Sequence, residues 1–189
     1  MQATRLTLIC HARTVAQKLS RFPTNEGIED FPLVAGSLGR WLKTSSRLLC
    51  GPERRTRQTA ELFGPDAQIV DALRDCDWGR WHGQSIKDLQ RKDAQALQAW
   101  LADPDCAPHG GESVTQLGAR AVAWLTSLQT TPGHIVAITH PFFMRAVLMQ
   151  VVQGAAFNNV DFEPLATIEL RFTGQWRLRL PGLDTLGVS

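Results

Sequence analysis

The sequence predicts a three-layer α/β/α domain with a mostly parallel central sheet, on three observations. Short apolar runs at Leu6–Cys10, Leu48–Cys50 and His134–Ile138 alternate with stretches of helical periodicity. The His134–Ile138 run reads as a fully buried strand, which fits a sheet covered by helices on both faces. Near the end of the chain the period changes: Ile168, Leu170 and Phe172, then Thr173-Gly174, then Trp176, Leu178 and Leu180 alternate as a terminal antiparallel hairpin.

The elements follow in order. Leu6 to Cys10 is the first strand, bounded by polar residues. Leu33, Val34, Leu38, Trp41 and Leu42 recur at helical spacing. The Leu48–Cys50 strand ends at Gly51-Pro52, where Pro52 suits the first position of a helix carrying Arg54, Arg55, Arg57 and Thr59. Gln68 to Val70 is a short third strand. Ser113 and Gln116 form a capping box before the stripe Val114, Leu117, Ala121, Trp124, Leu125 and Leu128. After the His134–Ile138 strand, Phe143, Val147, Leu148 and Val151 mark the next helix. The Trp-, Asp- and Pro-rich stretch at about 78–110 reads as a cap or insertion in a single domain, 1–189. The tail after Pro181 is expected to be loose.

Composition removes several function classes. The chain has 189 residues, 43% of them apolar, enough to bury one core. Lys and Arg number 20 against 18 Asp and Glu, a balance that argues against a dedicated nucleic-acid binder. The greasiest stretch, Phe142 to Phe157, is interrupted by Arg145 and Gln150, so no membrane span is expected. Leu6–Cys10 is too brief for a signal-peptide core, and four scattered cysteines do not read as a disulfide framework. A cytoplasmic protein is the expectation.

In open α/β sheets, ligands bind beyond the carboxyl ends of the strands. His11 follows the first strand, Arg55 lies just after the second, and His140 follows Ile135–Ile138 after Thr139. Each alone has an ordinary explanation: a structural histidine, one charge on a solvated helix face, a turn before Pro141. Three at equivalent topological positions are a much rarer coincidence. Two imidazoles and a guanidinium converging there point to phosphoryl chemistry.

These residues carry a resemblance. Leu6-Thr7-Leu8-Ile9-Cys10-His11-Ala12-Arg13-Thr14 resembles the strand-Arg-His-Gly-Glu-Thr signature of the histidine phosphatase (phosphoglycerate mutase-like) superfamily. Gly51-Pro52-Glu53-Arg54-Arg55-Thr56-Arg57-Gln58-Thr59-Ala60-Glu61 is similar to its Ser-Pro-Leu-x-Arg-Ala-x-x-Thr-Ala segment, with Arg55 on the phosphate-binding arginine. Leu73 to Gly83 is similar to Leu-x-Glu-x-x-x-Gly-x-Trp-Glu-Gly of the small phosphatases, which places Asp75 on the general acid. Gly110-Gly111-Glu112-Ser113 matches a Gly-Glu-Ser turn, and Gly133 to Arg145 resembles the last motif, with His140 as second catalytic histidine.

The resemblance implies a phosphoglycerate mutase-like fold and a metal-independent phosphatase. His11 attacks phosphorus and becomes phosphohistidine, Arg55 and His140 neutralise the equatorial oxygens, and Asp75 protonates the leaving alkoxide. The acid role asks for a raised carboxyl pKa at Asp75. Glu112 is the reserve acid, with an equally good reading as a helix N-terminal charge. No cofactor or metal is required, and the expected partner is a small phosphorylated metabolite, with a homodimer left open.

The departures from the family pattern are specific. Cys10 stands where the family has its first arginine, Ala12 its glycine, Arg13 its acid, and Pro141 the glycine after the second histidine. Gln17 stands where an asparagine often contacts phosphate. An arginine missing from a dry phosphate pocket costs roughly 1.5–3 kcal/mol, about ten- to a hundredfold in binding. Arg13, Lys18, Arg21 or Arg145 reaching the pocket offsets that loss; a different substrate, or a site that binds without turnover, are the other readings.

Rival chemistries differ in what they need. A cysteine phosphatase needs Arg six positions after its Cys, and the four cysteines lead to Ala16, Thr56, His82 and Glu112 instead. There is no Cys-x-x-Cys, no Gly-x-Ser-x-Gly elbow and no Walker loop. The resemblance implies that glycolytic mutases are longer, so this length favours hydrolysis, as in broad-specificity phosphatases or α-ribazole phosphatase. A binding protein that keeps the fold without the activity is the rival of another class. Nucleic-acid binding through Arg54, Arg55 and Arg57 is weak against the charge balance.

Overall fold

The structure, a computed structural model, describes residues 3–29 and 47–180. The helical stripe expected from Leu33 to Leu42 and the tail after Pro181 lie outside the described residues. A six-stranded sheet is built from β1 (Thr4–Cys10), β2 (Arg47–Cys50), β3 (Gln68–Ile69), β4 (Gly133–Thr139), β5 (Thr167–Phe172) and β6 (Trp176–Arg179) in the order β3-β2-β4-β1-β5-β6. The first four strands are mutually parallel, and β5 and β6 join antiparallel beyond β1. The expected mostly parallel sheet with a terminal hairpin is therefore found.

Helices are α1 (Val15–Lys18), α2 (Arg54–Glu61), α3 (Ile86–Lys92), α4 (Ala94–Ala102), α5 (Val114–Ser127) and α6 (Pro141–Val151). Side chains alternate across each strand, and this sorts the core into two layers. On one face Leu6, Leu8, Ile135 and Ala137 pack with Leu117, Ala121, Phe143 and Val147 of α5 and α6. On the other, Ile9, Cys50, Val136 and Ile138 pack with Ala60 and Phe63 of α2 and its end. A buried side chain of this size contributes about 1.5–3 kcal/mol.

The Ser113–Gln116 capping box is present at α5, and a second box, Thr14 with Gln17, caps α1. Pro141 occupies the first turn of α6 behind His140 as N-cap residue. Pro52 is the exception: α2 begins at Arg54, with Glu53 as its N-cap residue, so the proline sits in the turn ahead rather than at the first helical position. Asn25 accepts the Arg54 N–H at 2.9 Å and caps the helix from a separate loop, a contact no local pattern announces. The 78–110 stretch forms a 3-10 turn, α3 and α4. Trp78, Trp81 and Trp100 gather around Phe22 in the same apolar layer as β1 and β4.

Candidate active site

Register brings the histidines together. Cys10 pairs with Thr139 at the carboxyl ends of adjacent β1 and β4, so the next residue on each strand is a histidine. The His11 amide donates to the Thr139 carbonyl at 2.9 Å, and the two rings lie 5.2 Å apart, edge to face. Both are buried, 3% and 0% exposed. On the other side of β4, Cys50 pairs with Ile138 and the Gly51 amide donates to the Ile138 carbonyl at 3.0 Å. The turn after β2 thus delivers α2 beside the same strand ends. Gly51 is needed there: a Cβ would meet the Leu73 carbonyl at 2.8 Å.

Arg55 is buried with partners at three of its atoms. Nε donates to His140 Nδ1 at 3.3 Å, Nη1 to the Thr24 carbonyl at 2.7 Å, and Nη2 to Asp75 Oδ2 at 2.6 Å. Thr59 ties helix to loop: its hydroxyl accepts from the Ala12 amide at 2.9 Å and donates to the Arg55 carbonyl at 2.7 Å. Asp75 follows the 3-10 turn Asp71–Leu73, whose last carbonyl accepts from the Thr139 hydroxyl at 2.9 Å. Its carboxylate also lies 3.5 Å from His140 Nδ1.

The electrostatics separate the roles. Burial first, then the charges of His140 and Arg55, push the His11 ring down to about 3, so it is neutral at physiological pH. Its Nδ1–H donates to the Ala12 carbonyl at 2.8 Å, which leaves Nε2 with a free lone pair. Burial pushes the Asp75 carboxyl up, but His140, Arg55, His11 and the Cys76 amide outweigh it and hold the group below the usual range. The raised pKa asked of an acid at Asp75 is thus not found; the reason is His140 first and the Arg55 ion pair second. Burial raises the Cys10 thiol to about 12, so position 10 supplies no charge.

Four expected residues, His11, Arg55, Asp75 and His140, meet at one point. Others stand elsewhere. Glu112 is held by Arg120 through two bonds, 2.9 and 2.5 Å, and Arg120 also donates to the carbonyls of Ala72, Arg74 and Asp75. Glu112 is therefore a strut behind the Asp75 loop, not a group facing the pocket. Arg145 pairs with Asp161 and stacks on Phe142, 4.9 Å to the ring, far from the compensating role considered for it. Arg13, Gln17 and Lys18 line a separate cavity of about 280 Å³ with Phe162, Glu163 and Pro164. The Gln17 side-chain Oε1 accepts from the Thr14 amide at 3.1 Å. Arg21 lines a third hollow with Phe22 and Gly83. Pro141 acts as the first residue of α6.

Two contributors escaped the sequence reading. Glu53 accepts His140 Nε2–H at 2.8 Å and the Asp75 amide at 2.9 Å. The only sequence signal is an acid two residues before Arg55, indistinguishable from an ordinary helix N-terminal charge. Thr24 offers only its carbonyl, which no side-chain pattern reveals. A cavity of about 480 Å³ opens onto Arg55 and Asp75, lined also by Thr24, Asn25, Glu53, Arg74 and His82. Among the described residues no group of three or more His, Cys, Asp or Glu side chains is disposed to hold a metal ion, and no helix is long and apolar enough to cross a membrane.

Residues 6–180 match the profile of the histidine phosphatase superfamily (branch 1). The chain belongs to this family. An acid phosphatase of Mycobacterium tuberculosis is 27% identical over 159 residues, covering 79% of this chain and 76% of that protein. A mycobacterial glucosyl-3-phosphoglycerate phosphatase solved with VO3 superposes with a TM-score of 0.74 at 21% identity, covering 93% of this chain and 97% of that one. The α-ribazole phosphatase of Shigella flexneri gives 0.75 at 19% identity, covering 93% and 95%. These likenesses establish the phosphoglycerate mutase-like fold of this histidine phosphatase family member.

Proposed function

We propose that this histidine phosphatase family member hydrolyses a small phosphomonoester through a phosphohistidine on His11, without a metal ion. The observation that carries the reading is the His11 ring: buried, neutral, tied at Nδ1 to Ala12, with Nε2 free to attack. Nε2 bonds to phosphorus as the P–O bond to the leaving group breaks. Arg55 and His140 stabilise charge on the equatorial oxygens. Asp75 gives its proton to the departing alkoxide, then takes one from the water that cleaves the P–N bond. A phosphate dianion supplies what Asp75 lacks: it draws Arg55 away and adds negative charge beside a buried carboxyl, both of which raise the pKa.

Hydrolysis of p-nitrophenyl phosphate in the presence of EDTA, compared between wild type and His11→Ala, tests this. Turnover that resists the chelator and disappears in the variant is the expected result. Equal turnover in both overturns it. A second reading, a phospho-ligand binding protein of the same fold, is favoured by the uncharged thiol at position 10. Phosphate binding without turnover, on p-nitrophenyl phosphate and on natural phosphoesters, supports that reading instead.

A further inference from the structure

We propose that Glu53 is a positioning residue that makes His140 the second cation of the phosphate site, in place of the charge that position 10 does not supply. The proposal rests on the phosphoryl-binding reading of the site given above. Glu53 is held at both oxygens: Oε2 accepts His140 Nε2–H at 2.8 Å and Oε1 accepts the Asp75 amide at 2.9 Å. The carboxylate is thus fixed against one nitrogen of a fully buried ring. Burial works against its ionisation, but the hydrogen bond and charge of His140 and the Asp75 amide prevail and bring it down to about 2. A carboxylate held at hydrogen-bond distance therefore backs His140.

The other face of the ring meets every other charged group of the site. Nδ1 lies 3.3 Å from Arg55 Nε on α2 and 3.5 Å from Asp75 Oδ2 on the loop after β3, and His11 from the turn after β1 stands edge to face with the ring, centroids 5.2 Å apart. In this structure Nδ1 accepts from Arg55, so the Nε2–H tautomer is present. A phosphoryl group that engages the Arg55 guanidinium releases Nδ1. Nδ1 then takes up one proton from solvent and donates it in a hydrogen bond to a phosphoryl oxygen. Glu53 favours that uptake because the imidazolium forms against a fixed carboxylate at hydrogen-bond distance. The family's guanidinium at position 10 is always charged; an imidazolium is charged only as far as its partner holds the proton.

The consequence is a phosphate affinity that depends on pH through Glu53. Calorimetric titration with inorganic phosphate, from about pH 5 to about pH 8, on wild type, Glu53→Gln and Glu53→Asp reads it. In wild type, binding at the upper end takes up a proton, seen as a dependence of the heat on buffer ionisation. Glu53→Gln is expected to lose about tenfold in affinity near pH 7, with the gap narrowing toward pH 5. Glu53→Asp keeps the charge and recovers most of the loss. A purely structural Glu53 gives the same loss at every pH and no recovery, which overturns the proposal. Long-range proton–nitrogen spectra of wild-type His140 provide an independent check if the Gln variant does not fold: a ring that stays neutral with phosphate bound also overturns it. Binding is read without turnover, so a Glu53 effect in a chain that hydrolyses nothing sinks the phosphatase reading alone. Turnover with identical pH dependence in wild type and Glu53→Gln sinks only the Glu53 role.

Discussion

Asp75 Oδ2 sits 2.6 Å from Arg55 Nη2, in a pair whose side chains are 10% and 2% exposed. The general-acid candidate and the phosphate-binding candidate are thus bound to each other, and in the proposed function a phosphoryl group has to compete with a carboxylate for the same guanidinium nitrogen. Removing one member of a buried pair usually exposes an unpaired charge. Here the remaining charge is the one the proposed function gives to the phosphoryl group.

Asp75→Asn is therefore expected to separate binding from chemistry. Inorganic phosphate binds more tightly, because Arg55 no longer has to leave an anion. Turnover of an alkyl phosphate, whose leaving group needs a proton, falls by about 10²–10⁴-fold, while p-nitrophenyl phosphate falls less. Comparing kcat for the two substrates, with phosphate as competitive inhibitor, checks this; an equal fall for both removes Asp75 from the acid role.

Cys10→Arg restores a cation at the end of β1. KM for phosphoesters is expected to fall roughly ten- to a hundredfold, the worth of one bidentate, charge-assisted contact. Cys10 is fully buried in the apolar layer below the site, so Tm is measured alongside KM to separate a folding loss from an affinity gain. An unchanged KM in a folded variant means that the missing arginine does not limit binding.

Acid stability follows from the depressed His11 and Glu53 groups, which act in the same direction. The His11 ring falls from 6.5 to about 3 on folding, so between those values the unfolded chain binds the extra proton and stability is lost as pH drops. Glu53 falls from 4.5 to about 2, which adds a second loss at lower pH. Tm is expected to decline from about pH 6.5 downward, with a His11 contribution on the order of a few kcal/mol. His11→Gln removes the upper part of that decline in thermal melts across pH. A variant that melts with the wild-type pH dependence shows that His11 is not the group.

Arg120 and Glu112 make a mechanical prediction. Arg120→Ala leaves Glu112 with only the 3.9 Å approach of Arg74 and frees the carbonyls of Ala72, Arg74 and Asp75, so it is expected to destabilise by about 3 kcal/mol. Glu112→Gln keeps most of the hydrogen bonding, and its pH–rate profile is expected to match wild type, unlike that of Asp75→Asn. Urea unfolding of the first and pH profiles of the second check this. A lost acid-catalysed limb in Glu112→Gln returns it to the candidate acids.

The strands, the helix caps and the terminal hairpin were legible because each depends on nearest neighbours: a run of β-branched and aliphatic residues, a Ser three positions before a Gln, a Thr-Gly turn. His11 and His140 were legible for the related reason that each stands at the end of a parallel strand, and Arg55 because it lies in the first turn of the helix after another; the carboxyl ends of parallel strands lie on one edge. The misplacement of Pro52 shows the limit of that reasoning. The turn after β2 is drawn out by Glu53 reaching His140 and by Asn25 capping the helix, and both partners are remote in sequence.

What the sequence by itself determined was the family, the sheet with its helical layers, and three residues brought to one edge of it, with Asp75 added by the resemblance. Only the tertiary structure decided what those residues do to one another. The β1–β4 register set the two histidines ring to ring, the Asp71–Leu73 turn brought Asp75 onto Arg55, and α2 swung Glu53 behind His140. Arg120 drew Glu112 out of the site, and Phe142 and Asp161 drew out Arg145. The physical reason is range: backbone propensity and burial act between neighbours along the chain, whereas a charge selects its partner by distance in space, and distance exists only once the sheet has closed.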